Sequence, residues 1–208
     1  MEAVLSTDRS ALSARFGRTR QTDGMVWPFV YTPGTRLSLA ELAAARLDGD
    51  VVEVGEAFMP ADAVEGPEIR AASLRPLVAP GLALTHESAA WVHGALADPP
   101  VRHSVQRCTE RRRNHVLDHR LHYRDLQLPA RETVHLGGMP VSSRVRTLCD
   151  LLRADAAASD APRAGAVAMI AAFPGILDEA HRSLASSGPL PFKRQALAWL
   201  ERPPVRTT

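Results

Sequence analysis

The chain has 208 residues, is 45% apolar and 23% charged, and carries a formal net charge of +2. Such a composition excludes a disordered chain, and only two cysteines, Cys108 and Cys149, exclude a disulfide-stapled scaffold and point to a reducing compartment. No run of about 18 apolar residues offers a membrane span, and MEAVLSTDRSALSARF lacks a secretory apolar core, so a soluble, cytoplasmic protein without membrane partners is expected.

In chain order, STDRSALSARF opens on a capping residue and spaces Leu12 and Phe16 four apart, which predicts a short helix. MVWPFVYTPG is aromatic and β-branched, but Pro28 and Pro33 restrict it to an edge strand or an extended loop. Ser38 then caps LAELAAARL, with Leu39, Leu42 and Ala43 on one face and Leu47 a turn further on. Asp-Gly-Asp at 48–50 ends that helix. Two short strands, Val51–Val54 and Ala57–Met59, follow around Gly55-Glu56, so the order is helix, turn and ribbon.

Residues 67–77 read as a helix, and a short apolar strand leads into a second helix over 85–96 capped by Thr85. From Val101 to Val141 the pattern turns to β. HSVQR (103–107) and VLDHRLHYR (116–124) predict a hairpin around the turn ERRRN, and Gly137-Gly138 marks another between TVHL and MPVSS. Ser142 or Ser143 caps RVRTLCDLLR, whose Val145, Leu148, Cys149 and Leu152 share an inner face; Arg146 and Asp150, four apart on it, read as a simple helix ion pair. An alanine-rich linker at 154–162 precedes helices over 163–172, 175–186 and 191–201. The fold class is therefore α/β (α+β). A winged-helix-like N-terminal unit (1–78) is followed by a larger mixed α/β domain (79–208) that ends in helices.

Charge is segregated along the chain. Residues 37–75 hold three arginines against eight acids, whereas residues 101–125 hold seven arginines against three acids. All basic residues but Lys193 are arginines, whose guanidinium forks grip phosphate in pairs of bonds. Arg107, Arg111, Arg112, Arg113 and Arg120 are the expected phosphate contacts, and Arg46 on the 39–47 helix is the candidate base contact. Tyr123 is the single aromatic in the basic stretch, which favours duplex DNA over single strands.

Competing chemistries have less material. His115, His119 and His122 with Cys108 lack a compact pair of ligands for zinc, so neither a metal nor another cofactor is expected. Elbow, zincin and phosphate-loop motifs are missing from the sequence, and a non-enzymatic protein is expected. His86, Glu87 and His93 remain the remote catalytic alternative.

Three segments together resemble a known family. DGDVVEVGEAFMP with the helix before it, THESAAWVHG, and LGGMPVSSRVRTLCDLLR are similar to the actinobacterial branch of AbiEi-family antitoxins and related transcriptional regulators, over about residues 37–153. The resemblance implies an N-terminal winged helix, an α/β antitoxin domain, and a repressor of its own operon. It also implies duplex DNA at its own promoter and a nucleotidyltransferase toxin as partners. The chain departs from that pattern in the acidic residues Glu41, Glu53 and Glu56 on the expected recognition helix and wing, which suggest as an alternative a protein-interaction module that docks a basic partner.

Overall fold

Ser38 starts the first helix because its hydroxyl accepts the Glu41 N–H while the Glu41 carboxylate accepts the Ser38 N–H at 2.7 Å, a reciprocal cap. In the computed structural model, which describes residues 29–110, 118–158 and 163–201, this helix is α1, Leu39–Asp48. Gly49, at φ +85, closes it in the left-handed conformation that glycine takes at least cost. Strands β1 (Val51–Val54) and β2 (Ala57–Pro60) follow as an antiparallel ribbon with Val51 opposite Pro60. Of the stretch expected to be an edge strand or loop, the described residues 29–34 contribute an isolated bridge, Tyr31 to Phe58, along that ribbon; residues 25–28 lie outside the described residues.

Helix α2 (Pro67–Ser73) is shorter than expected, and so is α3 (His86–Val92). Arg70 explains part of the early stop of α3, since it donates to the carbonyls of Trp91 and Leu96 at 2.7 and 2.9 Å and so satisfies backbone acceptors past the last turn. Thr85 stands at the N-cap of α3 but makes no capping bond; its hydroxyl instead meets His86 Nδ1 at 3.1 Å.

Five strands form the main sheet, in the order β5-β4-β3-β7-β6, from β3 (Leu82–Leu84), β4 (His103–Arg107), β5 (Leu121–Gln127), β6 (Thr133–Leu136) and β7 (Met139–Ser142). β6 and β7 form the hairpin expected at Gly137-Gly138, both glycines having positive φ. The hairpin expected between β4 and β5 is a correction. These strands run parallel, with His103 opposite Leu121 and Gln106 opposite Arg124. Residues 108–120 therefore return to the start of the pair instead of turning at its end, and β5 begins at Leu121 and not at Val116. Parallel neighbours require a long return, and thirteen residues supply one. Helix α4 (Arg144–Ala156), capped by Ser143, and α5 (Ala164–Ala172), α6 (Ile176–Ser186) and α7 (Lys193–Leu200) complete the α/β fold.

Alternation along the strands divides the sheet into two faces. Leu82, Leu84, Val105, Leu121 and Val141 join α2, Trp91 and the ribbon residues Val54, Ala57 and Met59 in one core. The boundary expected near residue 78 thus passes through a continuous apolar cluster. A second cluster holds α4 to α7 together around Leu148, Leu151, Leu152 and Met169, and Ala90 links it to α3. Trp91, Leu148 and Leu152 are buried as the pattern required. The ribbon's turn also faces inward: a Cβ on Gly55 would stand 3.2 Å from both Leu74 Cδ2 and Trp91 Cη2, with Ser73 Oγ closer still. Glycine is required there on two grounds, its φ of +52 and the proximity of Trp91.

Candidate functional site

The arginines expected to hold phosphate do not share one surface among the described residues. Arg107 ends β4, and Arg120 precedes β5 at the other end of the same pair, where its carbonyl accepts the His103 N–H at 2.7 Å. Arg107 is turned inward, with Nε 3.2 Å from Asp125 and Nη1 donating to the carbonyls of Thr109 and Glu110. Arg120 holds two carboxylates, Glu56 at 2.6 Å and Asp118 at 2.8 Å. Hydrogen bonds from Arg120 keep the Asp118 carboxyl down at about 2. Arg46 stands in the open on α1, 3.4 Å from Glu53 of the ribbon. Arg111, Arg112 and Arg113 lie outside the described residues, as does His115.

The acidic wing is also compensated from within. Glu41 is engaged in the helix cap, Glu53 in the pair with Arg46, and Glu56 in the clamp to Arg120. Helix α1 buries only Leu42 and leaves Leu39 and Leu47 exposed, Leu47 at 87%.

His86, Glu87 and His93 do not form one catalytic group. His93 donates from Nε2 to the Ser142 carbonyl at 2.7 Å and so ties α3 to β7. The Glu87 side chain approaches Gly165 at the start of α5. His86 is different. It is 4% exposed and takes a positive φ of +51, a strained conformation for a residue with a Cβ. Burial, with Arg124 adding to it, holds its imidazole down at about 3, hence neutral.

Beside His86, α4 carries the densest charge cluster of the described residues. Asp150, 3% exposed, accepts from Arg146 Nε at 2.7 Å and from Arg153 Nη1 at 3.3 Å. Arg146 also reaches Glu132 from the segment that joins β5 to β6. The expected helix ion pair is present, and Glu132 and Arg153 extend it to a four-residue network around buried Asp150, which local spacing alone does not supply. Burial raises the Asp150 carboxyl, while Arg146 and Arg153 pull against it. These residues line a cleft of about 250 Å³ with Arg131, Ser183, Ser186 and Ser187. Cys149, also on its wall, is inert as a nucleophile because burial pushes its thiol up to about 12.

Gln106, missed in the sequence, and Arg124, there only one of the arginines around the expected hairpin, complete the region. Gln106 and Arg124 are partners in register on β4 and β5, on the face opposite Val105 and Leu121. The Gln106 Oε1 and Arg124 Nε atoms are buried without a hydrogen-bond partner. The charge of Arg124 acts on His86, His122 and Asp150. His122 is exposed at the β5 edge.

Neither a family model nor a curated protein matches the chain. No helix among the described residues is long and apolar enough to cross a membrane.

Proposed function

We propose that this chain is a transcriptional regulator of the AbiEi antitoxin type, which binds duplex DNA at its own promoter without catalysing a reaction. The observation that carries the reading is α1. It is a capped helix that buries a single residue, is followed directly by an antiparallel ribbon, and keeps Arg46 at its surface. Order and exposure of this kind suit a helix laid against a major groove. Because Glu41, Glu53 and Glu56 are each engaged within the protein, the acidic stretch opposes phosphate less than its net charge suggests. The ribbon's turn is packed on Trp91, so the ribbon supports α1 and does not itself reach for DNA. Phosphate contact then falls to the sequence Arg111-Arg112-Arg113, in the return between β4 and β5.

The test is duplex binding across a salt series, by fluorescence anisotropy with the protein's own promoter region. Affinity is expected to fall with a log–log slope of about −0.9 per phosphate neutralised, and replacing Arg111, Arg112 and Arg113 by alanine is expected to flatten it by up to roughly three units. Sequence preference should stay unchanged, since backbone contacts position and do not specify. No binding at low salt would overturn the reading.

A second reading has its own observation, the exposed apolar residues Leu39 and Leu47 on α1, Val52 on the ribbon, and Leu37 just before the helix cap. An apolar face fits a protein better than a phosphate backbone, and a nucleotidyltransferase toxin is the partner implied by the family resemblance. Leu47→Asp should then abolish co-purification of a nucleotidyltransferase encoded beside this gene, while leaving the salt slope of DNA binding intact.

A further inference from the structure

We propose that the cleft between α4 and the end of α6 is a binding site for a small carboxylate that carries one negative charge. Its volume of about 250 Å³ lies below the roughly 300–1,000 Å³ of pockets that hold drug-sized ligands, so it takes a molecule of few atoms. The walls are fixed before any ligand arrives. The short 3-10 turn Ala130–Glu132 is tied to the α4 cap, because the Ser143 N–H donates to the Glu132 carbonyl at 2.8 Å, and to α4 itself, because the Glu132 carboxylate accepts from Arg146. Arg153 donates from Nε to the Pro191 carbonyl at 3.0 Å and so holds the segment that carries Leu190 against α4. Lys193, the single lysine of the chain, donates to the carbonyls of Ala185 and Ser187 at 3.2 and 2.6 Å. It thereby covers the negative end of α6, which would otherwise oppose an anion.

Charge on the lining decides the sign of the ligand. Arg131, Arg146 and Arg153 stand against Glu132 and Asp150, three cations to two anions, so one positive charge is in excess. Both acids are engaged within the protein: Asp150 accepts from Arg146 and Arg153 at 2.7 and 3.3 Å, and Glu132 accepts from Arg146. The guanidiniums keep donors in hand. Arg146 and Arg153 bond through Nε and Nη1, and their Nη2 groups make no hydrogen bond among the described residues. Arg131 carries the excess. Its side chain is 81% exposed and, among the described residues, meets only its neighbour Glu132, at 3.7 Å. Ser186 and Ser187 turn their hydroxyl protons to carbonyls of α6, so the donors offered to a ligand come from the arginines.

Shape and charge then select the ligand. A guanidinium presents paired N–H groups that match the two oxygens of a carboxylate. Phosphate matches them too, but its second charge would exceed the surplus and face Glu132 and Asp150 unbalanced. Leu184 and Leu190 supply an apolar part of the lining, and Leu190 is 38% exposed, so a short hydrocarbon body gains by covering it. A short-chain monocarboxylate meets these conditions.

The experiment follows the melting temperature of the full chain, free of DNA, against acetate, butyrate, succinate and inorganic phosphate at constant pH and ionic strength. Saturation-transfer NMR on the butyrate protons is the second readout. A saturable rise with butyrate is expected, with acetate weaker by roughly fivefold because it lacks the methylenes that reach Leu190. Succinate and phosphate should be weaker than butyrate by roughly tenfold or more, since each brings a second charge. Arg131→Gln should weaken butyrate by at least about tenfold. It should leave the ligand-free melting temperature unchanged, because so exposed an ion pair contributes little to stability. Leu190→Ala should remove the advantage of butyrate over acetate. No saturable rise with butyrate, an equal rise with succinate or phosphate, a response that survives Arg131→Gln, or a butyrate preference that is missing or survives Leu190→Ala would overturn the site. Each of these outcomes is independent of DNA binding.

Discussion

Arg146 and Arg120 each hold two carboxylates, yet they do different work. Arg146 bridges Glu132 and Asp150 with its side chain 19% exposed, and Arg120 bridges Glu56 and Asp118 at 43%. Around Asp150 a missing partner leaves charge stranded in a low-dielectric interior. Around Arg120 water and salt replace a missing partner at once. Identical ligand sets thus define a structural hub in one region and an adjustable clamp between ribbon and sheet in the other.

Removing the acid at the centre of the hub should have the largest effect. Asp150→Ala leaves Arg146 and Arg153 facing each other without their shared counter-ion, and a loss of about 3–5 kcal/mol by chemical denaturation is expected. A loss under about 1 kcal/mol would show that water reaches the hub and that the contrast with Arg120 is false.

Acid sharpens the contrast from another side. His86 is held at about 3 in the folded chain, well below its ordinary value of 6.5. Between those values the unfolded chain binds a proton that the folded one refuses, so the stabilisation is complete above 6.5 and declines as pH falls toward 3. At about pH 5 the loss from His86 alone is about 2 kcal/mol. Burial lowers His93 and His103 in the same direction. Melting curves at neutral and acid pH check the sign, and His86→Gln should remove part of the slope.

The clamp should yield a smaller and salt-dependent change. Arg120→Gln is expected to lower the melting temperature slightly at low salt, and the difference should vanish at about 1 M salt, where screening is nearly complete. Smallest of all is Arg46→Ala. Arg46 and Glu53 are both more than half exposed, so no measurable loss of stability is expected, and any loss of DNA affinity in that variant reports contact with DNA.

Much of the fold was legible where local chemistry decides it. The Ser38 cap, Gly49, the glycines at 137–138 and the apolar spacing of α4 each act over a few residues. The direction of β5 was not legible by the same means, because alternation reports which face a residue occupies and says nothing of strand polarity. The thirteen residues between Arg107 and Leu121 held the clue, being long for a hairpin and sufficient for a return. Gln106 escaped notice, and Arg124 reads in the sequence only as one more arginine of the basic stretch, for a related reason. Polar residues on alternate strand positions read as the solvent side, yet Gln106 is 1% exposed. For Asp150, spacing identified Arg146, but Glu132 arrives from a distant segment.

The central strand β3 has a further consequence during synthesis. Its antiparallel neighbour β4 follows soon after it, but its parallel neighbour β7 emerges only after β5 and β6, and the two meet through a single register pair, Leu84 with Val141. Until Val141 leaves the ribosome, Leu82–Leu84 presents an unpaired apolar edge, the kind that recruits strands from other chains. A stop codon anywhere before β7 should therefore give an aggregating product instead of a smaller folded one. The residues after 136 do more than cover the core: they close the edge that the earlier half of the chain leaves open.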